Sequence, residues 1–98
     1  MLVIAVRLDI NPDARDAFRR HVLEAAAMAL EKEAGCKAFR VSFADDDAVC
    51  FLYEVYADRA AFEAHGQTEH YKAFAEKSHG MVADKRVEQY ELPTGAAA

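Results

Sequence analysis

Between Phe62 and Phe74 the chain reads FEAHGQTEHYKAF, which sets His65, His70 and Tyr71 among aromatic residues with Gly66 between the histidines. Shortly before it, FLYEVY carries Glu54 in the middle of an otherwise apolar run. Tyr56 follows two residues on, so a strand would place both side chains on one face. A buried carboxylate must be paired or protonated, and either state is chemically useful. An imidazole whose free pKa lies near neutrality can take a proton from a phenol or enol. These residue types together suit proton abstraction in a small apolar pocket with a few polar tips. His65, Glu54 and Tyr56 are the residues expected to carry the chemistry.

Plainer readings stay open beside this one. Glu54 can pair with Arg7, Arg40 or Arg86. His65 can be a packing histidine at a helix end, and His70, just after Glu69, a surface or cap residue in a first helical turn. The aromatics Phe18, Phe39, Phe62 and Phe74 belong mainly to the core. EKEAG reads as a solvated face.

Other chemistries find less support. His65 and His70 are five apart, which on a continuous helix separates them by about 140°, and Gly66 disturbs even that, whereas helical metal ligands sit three or four apart. His21 and His79 have no companions, so no metal site is expected. There is no GxSxG and no Gly-rich loop after a strand, which disfavours nucleophilic catalysis and nucleotide binding. Neither Cys36 nor Cys50 belongs to a CxxC motif. A hairpin turning near Asp46 sets Cys50 opposite about Ser42 and away from Cys36, so both are expected as free thiols.

The elements that must position these groups follow from periodicity. Residues 2–10 alternate, with Leu2, Ile4, Val6, Leu8 and Ile10 on one face. Asn11-Pro12-Asp13 starts a helix running to about 34, with Ala14, Phe18, Val22, Ala25, Ala29 and Leu30 inward and Gly35 as its stop. Residues 36–43 and 49–56 read as strands around the polar turn ADDDA. A short helix capped by Asp58 runs to about 65, and Gly66 separates it from another over 69–79. Residues 87–92 form a last strand.

The order is β-α-β-β-α-β with the second helical region split. That is an α+β, ferredoxin-like split βαβ: a four-stranded antiparallel sheet with helices on one face. The 49–56 strand is apolar on both faces, so it needs cover on both. A second copy of the chain is the economical source, which makes a homodimer the expected state.

The 98 residues suit one domain, expected over 1–93, with 94–98 as a flexible tail. The net charge of −5 and the lack of any basic cluster beyond Arg19-Arg20 and Lys85-Arg86 argue against nucleic acid as partner. No apolar run approaches the roughly 20 residues of a membrane span, and MLVIAVRLDI lacks the features of a leader, so a cytoplasmic setting is expected.

LVIAVRLDINPD, EAGCKAFRVSF, FLYEVY followed by AFEAHGQTEHYKAF, and VEQYEL together resemble the antibiotic biosynthesis monooxygenase domain family, over Leu2 to about Leu92. The most specific parts are LYEVY and EAHGQTEHYKAF, and the chain is most similar to the small quinol monooxygenase-like members. The resemblance implies a dimeric α+β barrel in which two subunits stack sheet against sheet. It implies oxidation of a small quinol or phenolic, polyketide-like substrate with O₂ and no cofactor, neither metal nor flavin. The pocket would lie within each subunit, between sheet and helices. Glu54, Tyr56, His65 and Tyr71 match motif positions that line it, with Phe39, His70 and Phe74 as further substrate contacts.

The haem-degrading branch has a helical histidine where this chain has Ala75 and an asparagine where it has Val6, so haem degradation is disfavoured. A related isomerase branch uses a histidine on the first helix, and His21 lies more than a turn before the matching stretch. The alternatives are a cofactor-free isomerase or other proton-transfer enzyme acting on a small carbonyl compound, and a non-catalytic dimeric ligand-binding or stress-response module.

Overall fold

The computed structural model describes residues 1–96. Four strands, β1 (Leu2–Ile10), β2 (Cys36–Ala44), β3 (Val49–Tyr56) and β4 (Val82–Glu91), form an antiparallel sheet in the order β2-β3-β1-β4. Helices α1 (Arg15–Lys32), α2 (Arg59–His65) and α3 (Glu69–Lys77) complete the split βαβ order. The expected ferredoxin-like architecture is therefore the observed one. The tail expected over 94–98 reaches beyond the described residues at 97 and 98.

The period-2 pattern of β1 does what it promised. Ile4, Val6, Leu8 and Ile10 are buried on the face that meets α1, where Phe18, Val22, Ala26 and Ala29 pack against them. From β3, Cys50, Leu52 and Tyr56 join the same cluster. Burying side chains of this size contributes on the order of 1.5–3 kcal/mol each. The opposite face leaves large apolar groups in the open, with Phe51 42% and Tyr90 52% exposed.

Several boundaries differ from expectation, each for a local reason. The first helix opens with a short 3₁₀ turn, Pro12–Ala14, and α1 proper runs from Arg15 to Lys32 rather than from 12 to 34. Asn11 does not cap it: its side chain donates to the Gly80 carbonyl oxygen at 2.9 Å, tying the end of β1 to the turn before β4. Leu30 faces outward and Ala26 takes the inward place. The last strand starts at Val82, not 87, because it pairs along the whole of β1, from Ile10↔Val82 to Leu2↔Glu91. As an edge strand exposed at every position after Val82, it lacks the alternation that marks a half-buried strand. The hairpin register sets Cys50 opposite Phe43, one residue from the expected Ser42, with Cys36 opposite Tyr56 at the far end. Both thiols are free and buried. Burial pushes the Cys36 thiol up to about 11 and that of Cys50 up to about 12, so both are poor nucleophiles at neutral pH.

Gly35 follows α1 for a reason other than backbone freedom. A Cβ built there would lie 2.5 Å from the Cβ of Ala61, so the start of β2 can meet α2 only without a side chain. Gly35→Ala should lower stability by about 1–3 kcal/mol in urea denaturation, and the cost should shrink in an Ala61→Gly background. Equal costs in the two backgrounds would show that this close approach does not hold α2 in place.

Candidate functional site

The α2–α3 corner is built by short-range polar bonds. Asp58 accepts from the Ala61 amide at 2.8 Å and caps α2. Thr68 donates through Oγ1 to the His65 carbonyl oxygen at 2.8 Å and accepts from the Tyr71 amide at 3.2 Å, so one hydroxyl ends α2 and caps α3. This break, not a continuous helix, sets the relation of His65 to His70. Both rings turn toward one carboxylate.

That carboxylate is Glu33, the residue that ends α1. Its backbone N–H donates to the Ala29 carbonyl oxygen while its own backbone turns extended. His65 Nδ1 lies 2.8 Å from Glu33 Oε2 and 3.1 Å from Oε1; His70 Nε2 lies 2.5 Å from Oε2. The side chains of the three are only 8–10% exposed. An ionised carboxylate can only accept, so both facing nitrogens carry protons. For His65 that leaves Nε2, across the ring, as the basic nitrogen. The ring is held by its neighbours, with centroids 5.0 Å from Tyr71, 5.4 Å from Tyr56 and 6.0 Å from Phe39.

Glu33 had been read as part of a solvated face. The available signal was its position, since an acid at the negative end of a helix dipole is disfavoured unless donors meet it. His70 is likewise not a surface or helix-cap residue but a half-buried partner of Glu33.

Between the sheet and the helices lies a cavity of about 370 Å³, within the range of small-molecule sites. Val6, Leu8 and Leu52 give its sheet side an apolar floor, and Phe39, Phe62, Tyr71 and Phe74 form aromatic walls. Its polar lining includes Glu54, His65 and His70. Val87, 45% exposed, and the exposed Lys85 place its mouth at the uncovered inner face of β4. Phe39, His70, Tyr71 and Phe74 thus all reach the cavity that they were expected to line. Tyr56 does not: it is fully buried beside the cavity.

Glu54 is paired with Tyr56, whose hydroxyl donates to Oε1 at 2.6 Å. The arginines considered for it lie across the sheet, since Arg7 and Arg40 are opposite Phe51 and Tyr53, and Arg86 is opposite Arg7. Burial raises the Glu54 carboxyl above its ordinary range, against smaller opposing effects of the Tyr56 bond, His65 and Lys85. Burial and the neighbouring Glu54 push the Tyr56 phenol strongly up, so it stays protonated.

A model of the antibiotic biosynthesis monooxygenase family matches residues 1–77. The chain belongs to this family. Among solved structures, a candidate antibiotic biosynthesis monooxygenase from Nitrosomonas europaea is 25% identical, with a TM-score of 0.88 over 93% of this chain and 97% of that one. Another antibiotic biosynthesis monooxygenase is 25% identical with a TM-score of 0.83, covering 95% and 99% of the two chains. A third from Bacteroides thetaiotaomicron, at 22% identity and a TM-score of 0.90 over 99% and 94%, shares the fold. No curated protein matches. The family match ends before β4, the strand at the cavity mouth. No helix among the described residues is long and apolar enough to cross a membrane.

The raised Glu54 carboxyl gives stability a pH dependence. The folded state holds its proton above the pH at which the unfolded chain, near 4.5, has released it. The folded state then binds more protons than the unfolded one, and stability falls as pH rises through that window. Urea denaturation at a series of pH values should show wild type losing stability relative to Glu54→Gln from about pH 4.5 upward. Parallel curves would mean that the carboxyl is not perturbed in the fold.

Proposed function

We propose that this antibiotic biosynthesis monooxygenase family member oxidises a small phenol, quinol or naphthol with O₂, using His65 as the base and no cofactor. The observation that carries this reading is the Glu33 carboxylate on His65 Nδ1, in the wall of an aromatic-lined cavity. It leaves Nε2 as the proton acceptor and holds the ring still.

The phenol stacks between Phe39, Tyr71 and Phe74, and His65 Nε2 takes its proton. The phenolate passes one electron to O₂, and the resulting radical pair joins at a hydrogen-bearing ring carbon ortho or para to the oxygen to give a peroxide. The proton held on His65 returns to the peroxide. Loss of the ring hydrogen as a proton and cleavage of the O–O bond then release water and leave the quinone. A naphthol and O₂ give a naphthoquinone and water, with all reducing electrons supplied by the substrate. The protein contributes deprotonation, exclusion of water and orientation.

Glu54, protonated over a wider pH range than an ordinary carboxyl, serves as a hydrogen-bond donor to a substrate oxygen. Tyr56 acts through Glu54, holding it in place. His70 shares Glu33 with His65 and adds a polar edge to the wall. In this reading a second subunit covers the sheet face that bears Phe51 and Tyr90, and the two free thiols suit a reducing, cytoplasmic setting.

Oxygen uptake by chelator-treated protein with a panel of quinols and naphthols tests this. Uptake should require the protein, and His65→Asn should lower kcat by roughly 10²–10⁴-fold, the usual worth of a positioned base. Unchanged turnover in the variant would remove His65 from the chemistry. No uptake with any phenol, alongside protein-dependent isomerisation of an enolisable carbonyl compound, would replace oxygenation with proton transfer alone.

A further inference from the structure

Glu33, His65 and His70 come from the end of α1, the end of α2 and the first turn of α3. Each offers one donor atom, and the three atoms lie within 4.8 Å of one another. Two imidazole nitrogens and a carboxylate oxygen, on side chains at most 10% exposed, form a donor set that suits Zn²⁺ with water in a fourth position. As the groups stand, two N–H donors share the carboxylate. Exchanging those protons for one cation requires the separations of 2.8 and 2.5 Å to open. Bonds of about 2.0–2.2 Å at tetrahedral angles demand roughly 3.3 Å between donors. Shared between the partners of each pair, that opening is about half an ångström or less per side chain, while the two imidazole nitrogens must come equally close to each other.

The placement distinguishes this cation from a catalytic one. His65 and His70 line the cavity, but Glu33 does not, and His65 meets Glu33 through Nδ1. A cation held there lies behind the wall, in the seam between α1 and the α2–α3 corner. It also alters the base. A neutral imidazole that ligates through Nδ1 must carry its remaining proton on Nε2, the nitrogen from which the proposed reaction needs a lone pair. The proton moves within one ring and none is lost.

We infer that Glu33, His65 and His70 form a Zn²⁺ site whose occupation withdraws His65 from proton abstraction, so that one cluster serves either as a hydrogen-bonded base or as a metal-bound, inactive one. The inhibitory half rests on the function proposed above; the binding half does not.

The test uses the full chain after removal of metals by chelator, with Co²⁺ titrated by absorbance and Zn²⁺ by calorimetry. One ion per chain should bind with micromolar affinity or tighter, and the Co²⁺ spectrum should show nitrogen and oxygen ligands. Glu33→Gln, which keeps the side chain's shape, and His70→Ala should each weaken binding by at least tenfold, a loss typical for a missing ligand or its close support. Absence of one-to-one binding, or binding indifferent to both variants, would overturn the site and point to the outer histidines instead. In the oxygen-uptake assay, Zn²⁺ should suppress turnover over the concentrations at which it binds. Full turnover at saturating Zn²⁺ would overturn the inhibitory half. Specific binding by a protein that oxidises none of the phenols would leave the site standing and count against the oxygenase reading alone.

Discussion

One carboxylate holds together the helical wall of the cavity. Glu33 ends the long helix in the orientation least suited to an acid, and the two imidazole N–H groups that meet it come from the other two helices. The cost of placing an anion at the negative end of the dipole is offset by two short, largely dehydrated hydrogen bonds. In return α1 is joined to the α2–α3 corner, where α3 buries no residue fully. The edge-to-face contact of Phe74 with Phe18, at 5.9 Å between centroids, is the apolar counterpart of that link. Without Glu33 the corner would keep its own caps, at Asp58 and Thr68, but lose its orientation toward the sheet.

The site thus has two carboxylates in unlike surroundings. Glu33 faces two imidazole nitrogens, whereas Glu54 lies on an apolar floor with a neutral phenol as its partner, and burial raises its carboxyl above the ordinary range. His65 hydrogen-bonds the first of these carboxylates and lines the same cavity as the second. That division of roles arises from burial and partner rather than from residue type.

Much of this was legible in the sequence. The β1 alternation, the proline-marked helix start, the ADDDA turn and the break at Gly66 named the architecture, and Phe39, Tyr71 and Phe74 could be placed on the cavity wall. What was not legible depended on distance in the chain. Glu33 and His65 are 32 residues apart, and no local pattern links them. Strand β4 was half hidden because an edge strand with exposed faces carries no hydrophobic period. Gly35 was read as a helix stop, but its reason is the side chain of Ala61 opposite. The break after His65 was legible at Gly66, but not that the corner it makes turns His65 and His70 toward one distant carboxylate.

The proposed chemistry depends on which nitrogen of His65 carries the proton. Long-range ¹H–¹⁵N correlation spectra of the metal-free protein, labelled at histidine, read this directly at neutral pH. The predicted result is the Nδ1–H tautomer for His65, with an Nε2 shift typical of an unprotonated ring nitrogen. An Nε2–H tautomer would contradict it, since the carboxylate would then not be orienting a base and the cavity would hold no proton acceptor at that position.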